Sequence, residues 1–251
     1  MNALSTAQVI ELFHLAFLDV LSKRLDPSRY VLKGGVNLRY FFESLRYSED
    51  IDLDISGVAQ WRLEEKVDGV LASGPMRALL RAGGLAVAEF TKPKQTETTR
   101  RWKIAIDVQG RSESVRTKIE FSSRSGEGPY ALEAVPSGVV APYALRSPVV
   151  QHYTGSAPAE QKVKALAGRS ETQARDVFDL DLLLRAGSLP AGSLSPQILV
   201  KAADLALHLP FDAFRDQVLP FLEADALELY ETEEAWEQIQ TFVAGELEKA
   251  R

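Results

Sequence analysis

The sequence predicts a mixed α/β fold of the α+β kind: a sheet module over residues 1–150 and a helical module over residues 151–251. Three observations predict it. Apolar residues recur at helical spacing near the N-terminus. Strand-like runs cluster between Tyr30 and Ser122. From about Ala157 onward the pattern stays helical. The chain has 251 residues, 45% hydrophobic and 25% charged, which is ordinary globular usage and enough to bury a core.

Ser5-Thr6-Ala7-Gln8 reads as a helix start, with Gln8 placed to close a capping box on Ser5. Val9, Leu12, Phe13, Ala16, Phe17, Val20 and Leu21 then follow helical spacing. Asp26-Pro27 ends this helix. Tyr30-Val31-Leu32 is a short strand broken by Gly34-Gly35, and Val36 to Glu43 is a short helix. Ile51, Leu53 and Ile55 alternate with Asp50, Asp52 and Asp54, giving a strand with one apolar and one acidic face. Residues 59–82 are helical with a break near Gly74-Pro75. Strand-like runs follow at 85–92, 100–109 and 115–122, the first two pairing across the polar stretch Pro93–Thr98. Gly126 to Pro148 is a Gly- and Pro-rich connection with a short strand, and Gly187 to Ser195 is a linker. There is no internal repeat.

Composition excludes several classes. There are no cysteines, so no disulfide scaffold, thiolate zinc site or cysteine nucleophile exists, and a reducing cytoplasm is the expected location. The opening octet lacks the basic start and apolar run of a signal peptide. No stretch approaches a membrane span. The 29 Lys and Arg against 35 Asp and Glu give a net charge of −6. The charge is uneven. Residues 92–118 hold eight basic side chains against three acidic ones, while residues 221–251 hold two against nine. The basic stretch reads either as a local footprint for phosphate or nucleic acid or as a solvated strand face. The acidic tail reads as a solvated helix.

The acidic strand is the first chemical signal. Asp50, Asp52 and Asp54 point to one face, about 7 Å apart along the chain. Like charges so placed repel and need basic neighbours, exposure or a divalent cation. Mg²⁺ is commonly held by one or two carboxylates plus substrate phosphates. The alternative is an exposed edge strand whose acids face Arg39, Arg46 or lysines. Lys33-Gly34-Gly35, between a strand and a short helix, adds a phosphate cradle: glycines admit close backbone approach, the helix start offers free N–H groups, and Lys33 adds a point charge.

These elements carry a resemblance. Gly34-Gly35 followed by Asp50-Ile51-Asp52-Leu53 resembles the signature of the nucleotidyltransferase superfamily. The longer string, Leu32-Lys33-Gly34-Gly35 with Arg46-Tyr47-Ser48-Glu49-Asp50-Ile51-Asp52-Leu53, resembles the AbiEii/AbiGii toxin family. Lys162, Leu166 and Arg169 match its Lys-x-x-x-Leu-x-x-Arg element, and Arg175-Asp176-Val177-Phe178-Asp179-Leu180 matches its Arg-Asp-x-x-Asp-Leu element. The resemblance spans about residues 30–185, and no landmark falls after Gly187.

Read from the residues alone, Lys162, Leu166 and Arg169 form one helix stripe, and Asp176 and Asp179 are neighbours on another. Arg175 and Asp179 can pair at i, i+4. These charges read either as a helix–helix salt-bridge network or as part of a site.

The resemblance implies a nucleotidyltransferase-like sheet module, with the helical module completing the site. It implies a Mg²⁺- or Mn²⁺-dependent nucleotidyltransferase toxin of a toxin–antitoxin or phage-defence system, with an NTP as substrate. In that scheme Asp50, Asp52, Lys162, Asp176 and Asp179 are catalytic. Lys33, Gly34, Gly35, Ser48 and Arg169 bind nucleotide. Asp50 and Asp52 bind metal, joined by a third carboxylate, Glu120 in preference to Asp107. Lys118, on the same strand face as Glu120, binds phosphate or neutralises a carboxylate. The implied partners are an RNA acceptor, the tRNA 3′ end, and a cognate antitoxin that need not form a stable complex. A binding module without turnover and nucleotide transfer to a protein hydroxyl are the alternatives. His14 and His208 read as structural, Trp61, Trp102 and Trp236 as packing residues, and His152 as a loop residue near the second landmark.

Overall fold

The computed structural model describes residues 4–123, 128–189 and 191–251. The start of the Gly126–Pro148 connection lies outside them. The chain divides into two units: residues up to Phe41 with Tyr47–Tyr153, and Phe42–Arg46 with Thr154–Arg251.

The first unit opens with α1 (Thr6–Ser22), whose capping box is formed: Gln8 N donates to Ser5 Oγ (3.2 Å) and Ser5 N to Gln8 Oε1 (2.9 Å). Most of α1 is buried, including Phe13, Phe17 and Leu21. Two polar residues are buried with them and both are satisfied. Glu11 accepts from Arg39 Nε (2.8 Å) and Tyr143 OH (2.6 Å), and His14 Nε2 lies 2.9 Å from Thr117 Oγ1.

His14 makes stability depend on pH. Burial pushes its imidazole from 6.5 down to about 3. The unfolded chain therefore takes up a proton below about pH 6.5 that the folded protein refuses. Stability present above that pH is lost on acidification, at up to about 1.4 kcal/mol per pH unit. Between pH 7 and pH 5 the urea-derived stability of the wild type is expected to fall more than that of His14→Gln, by about 2 kcal/mol.

The sheet is built from β1 (Tyr30–Lys33), β2 (Asp50–Ile55), β3 (Leu85–Gln95), β4 (Thr99–Val108), β5 (Val115–Ser122), β6 (Tyr130–Ala134) and β7 (Val149–Tyr153). The described residues give it the order β3-β4-β5-β2-β1-β7-β6. β2 runs parallel to β5 and β1 parallel to β7; the other pairs are antiparallel. Between the strands lie α2 (Gly34–Phe41), α3 (Gln60–Leu71), α4 (Gly74–Ala82) and α5 (Ser137–Val140). One face of the central strands buries Ile51, Leu53, Ile119, Phe121, Trp102 and Ile104 in a core shared with α1, α3 and α4. The opposite face carries the charges.

Three expectations need correction. β3 does not stop at Lys92 but continues to Gln95, through Pro93. Proline is tolerated because β3 is an edge strand and its register with β4 shifts between Thr91 and Lys94. The short helix begins at Gly34, not Val36, and ends at Phe41, with Glu43 at φ 57°. Trp61 is not a packing residue, being 68% exposed, whereas Trp102 and Trp236 are buried.

The second unit is helical: α6 (Ala157–Gly168), α7 (Ala174–Arg185), α8 (Pro196–Leu207), α9 (Phe211–Gln217), α10 (Leu227–Tyr230) and α11 (Glu233–Lys249). Its own core includes Val163, Leu166, Val177, Leu180 and Val243, with Phe214 stacked on Trp236 at 4.5 Å. The acidic tail is α11, capped by Thr232 Oγ1 accepting from Ala235 N. The stretch Phe42–Arg46 joins this unit through Glu223 N donating to Leu45 O (3.0 Å) and a bridge between Arg46 and Leu222. Among the described residues no helix is long and apolar enough to cross a membrane.

Candidate active site on the sheet face

Strand register assembles the first cluster. Asp50 is paired with Lys118 and Asp52 with Glu120 across β2 and β5. Lys33 at the end of β1 is paired with Asp52, and Arg101 on β4 with Glu120. Paired residues project to the same face, so this face bears an alternation of acids and bases. Lys118 Nζ binds Asp50 Oδ2 at 2.7 Å. Arg101 holds Glu120 through Nε (2.7 Å) and Nη2 (2.6 Å). Lys33 Nζ donates to Asp54 Oδ1, whose other oxygen accepts from Tyr153 OH at 2.8 Å. Asp54 and Tyr153 are both buried.

Asp52 is the exception. Among the described residues it has no hydrogen bond or ion pair. Burial, opposed in part by Lys118 but reinforced by Asp50 and Glu120, pushes its carboxyl above the usual aspartate value of 3.8. The reason for its position is the glycine turn. Gly34 adopts φ +67°, and a Cβ built there would lie 3.1 Å from Asp52 Oδ2. The first residue of α2 thus lies directly against the unpaired carboxylate, and only glycine fits both the backbone and the space. Gly34→Ala is expected to cost about 1–2 kcal/mol in urea unfolding through the left-handed backbone alone. It should also weaken NTP binding, read by titration with a fluorescent NTP analogue.

Gly35 follows within α2. Ser48 Oγ donates to Asp50 O (2.8 Å), tying down the start of β2. Asn37 Nδ2 donates to Tyr153 O (2.9 Å) and its Oδ1 lies 3.0 Å from His152 Nδ1. His152 is therefore not in a loop. It is a buried residue of β7, stacked on Phe41 at 3.6 Å. Of the two candidate third acids, Glu120 lies beside Asp52, while Asp107 is exposed near the end of β4 and accepts from Ser114 Oγ (2.6 Å).

Among the described residues, no three acids or histidines converge in the arrangement of a ready metal site. The donor chemistry still fits. Carboxylate oxygens are the hard ligands Mg²⁺ and Mn²⁺ prefer, and Mg²⁺ takes only one or two of them when phosphates supply the rest. Asp50 and Asp52 would hold it, with Glu120 beside them once released from Arg101.

The helical unit gathers the second cluster. Lys162 on α6 binds Asp176 Oδ1 (2.9 Å) and Asp179 Oδ2 (2.6 Å) on α7. Arg169 Nε binds Asp176 Oδ2 at 2.8 Å. Arg46 grips Asp179 with Nε at 3.1 Å and Nη2 at 2.9 Å. Asp179 faces inward with no exposed surface. Burial would raise the Asp179 carboxyl, but Arg46 and Lys162 outweigh it and hold it below its usual value. Burial would likewise depress the Lys162 ammonium, but Asp179 and Asp176 hold it above normal. Lys162 and Arg169 reach Asp176 from the side of α6 and its end, and Lys162 and Arg46 share Asp179. Lys162 is 12% and Arg169 42% exposed.

Sequence reading missed Tyr153, the role of Asp54 and the partner of Arg46. Arg46 was legible as part of a motif string and as a candidate partner of the acidic strand; that it closes on Asp179 depends on a contact 133 residues away along the chain.

The sheet order and the helices that flank it define a protein of mixed α/β fold. Two proteins of known structure from Helicobacter pylori share it. JHP933 is 18% identical with a TM-score of 0.60, over 99% of this chain and 96% of that one. A protein described as a candidate nucleotidyltransferase is 18% identical with a TM-score of 0.57, over 95% of each chain. No curated protein matches the sequence. The chain belongs to the family described as nucleotidyl transferase AbiEii toxin, type IV toxin–antitoxin system, whose model matches residues 16–249. It is thus a member of a family of nucleotidyltransferase toxins of toxin–antitoxin systems.

Proposed function

We propose that this protein transfers a nucleotide from an NTP to an acceptor hydroxyl, releasing pyrophosphate, and that the acceptor is RNA, in the first instance the 3′ end of tRNA. The observation that carries this reading is the contact between Gly34 and Asp52. A phosphate resting on the N–H groups at the start of α2 would lie beside a carboxylate that has no hydrogen bond or ion pair among the described residues. Mg²⁺ or Mn²⁺ held by Asp50 and Asp52 would draw off negative charge from the triphosphate and favour the acceptor's ionised form.

The chain's own groups do the rest. Gly34 and Gly35 offer backbone N–H groups to the triphosphate, with Lys33 as a point charge and Ser48 fixing the strand that carries both acids. The acceptor oxygen bonds to the α-phosphorus, its proton passes to solvent, and the bond to the β-phosphate breaks. Lys162 and Arg169, which their charge and partial exposure favour as ligands, contact phosphate or base. Asp176 and Asp179 position them. This role for the helical unit, a cytoplasmic location and the absence of a stable antitoxin complex are parts of the same proposal.

The test is incubation with each α-labelled NTP, Mg²⁺ and total RNA, for the wild type and Asp52→Asn. Label on RNA from the wild type alone supports the reading. Label on protein instead moves the acceptor to a protein hydroxyl. Metal-dependent NTP binding with no transfer reduces the protein to a binding module.

A further inference from the structure

In-line displacement places the attacking oxygen and the departing pyrophosphate on opposite sides of the α-phosphorus. The sheet order decides which sides are available. Lys33, Gly34 and Gly35 lie on the β1 side of β2, whereas β5, β4 and β3 lie on the other. On that other side a cleft of about 330 Å³ opens from Asp50. Its floor is a register row, Asp50–Lys118–Lys103–Thr91, crossing four strands. Arg116 stands two residues before Lys118 on the same face of β5.

The cations of this cleft differ in their engagement. Lys118 is committed to Asp50. Lys103 and Arg116 are exposed and, among the described residues, have no hydrogen bond or ion pair. Glu89, opposite Ala105 on the outer strand, is the cleft's distal acid. Free cations ranged along a groove that ends at the carboxylates match a chain of phosphates leading to a terminal hydroxyl. A protein hydroxyl would bring no phosphates for them to meet.

We propose that this cleft receives the 3′-terminal segment of a single-stranded nucleic acid, with Lys103 and Arg116 on its backbone phosphates and its last hydroxyl directed at Asp50. The proposal rests on the transfer reading above and adds to it the side from which the acceptor enters and the residues that hold it.

The experiment is fluorescence anisotropy of the full chain with a short labelled single-stranded RNA, and a DNA of the same sequence, over a salt series. The wild type is compared with Lys103→Gln/Arg116→Gln, with the charge-preserving Lys103→Arg/Arg116→Lys, and with Lys249→Gln as a remote control. Each lost phosphate contact on a single strand reduces the salt slope by about 0.7, so the double Gln variant should lose about 1.4 in slope, together with about tenfold in affinity at low salt. The charge-preserving and control variants should keep the wild-type slope, and Glu89→Gln should bind more tightly. An unchanged slope in the double Gln variant, or no strand binding by the wild type, overturns the proposal. Binding of a fluorescent NTP analogue, measured in parallel, should be the same in every variant. Cleft-dependent strand binding without any nucleotide transfer would support the cleft and overturn the transfer reading instead.

Discussion

Asp52→Asn is expected to abolish nucleotide transfer while leaving the protein as stable as the wild type, or more so. The two effects have one cause. Asp52 lies against Gly34, between Asp50 and Glu120, whose charges raise its carboxyl further after burial has already done so. Its negative charge is therefore unfavourable in the folded protein, and the neutral amide relieves that. The same charge is what a triphosphate-bound cation needs. Metal ions contribute several kcal/mol to stabilising such a transition state. Loss of about 4 kcal/mol is about 10³ in rate. Transfer of label measured beside urea unfolding separates the two effects. A variant that keeps a tenth of the activity, or that unfolds at clearly lower urea, would show that Asp52 is a structural residue.

Asp179→Ala should do the opposite to stability. Asp179 is fully buried and is gripped by both Arg46 and Lys162. Removing it leaves the buried Arg46 guanidinium and the nearly buried Lys162 ammonium without their shared counter-charge. Breaking a buried pair from one side typically costs about 3–5 kcal/mol. For a chain of this size that corresponds to a fall in Tm of roughly 6–20 °C. Calorimetry checks it. A fall of only a degree or two would mean that Asp176 and solvent compensate the two cations, and that the cluster is held less tightly than its geometry indicates. The contrast with Asp52 is instructive. Both residues are aspartates taken from one motif set, yet one is gripped by two cations and the other, among the described residues, has no ion pair.

Much of the sheet unit could be read from residue order because its signals are local. The capping box at Ser5 and Gln8 and the alternation of Ile51, Leu53 and Ile55 with aspartates each depend on neighbours within a few positions. The strand through Pro93 could not be read, since proline is a poor strand residue unless the strand is an edge with a register shift, and only pairing decides that. His152 was equally illegible: its short run Val149–Tyr153 becomes a strand by pairing with β1 and β6, far away in sequence.

The candidate site divides in the same way. Residue spacing by itself determined that Asp50, Asp52 and Asp54 share a face, that a glycine turn precedes them, and that Lys162, Asp176 and Asp179 lie on helix stripes, because pleat and helix periods are properties of the local backbone. Only the tertiary structure decided which of these charges are neutralised. Lys118 takes Asp50, Lys33 and Tyr153 take Asp54, Arg101 takes Glu120, and Arg46 and Lys162 take Asp179, while Asp52 is left facing Gly34. Charge compensation acts through space over a few ångströms, and the partners that supply it stand up to 133 residues apart in the chain.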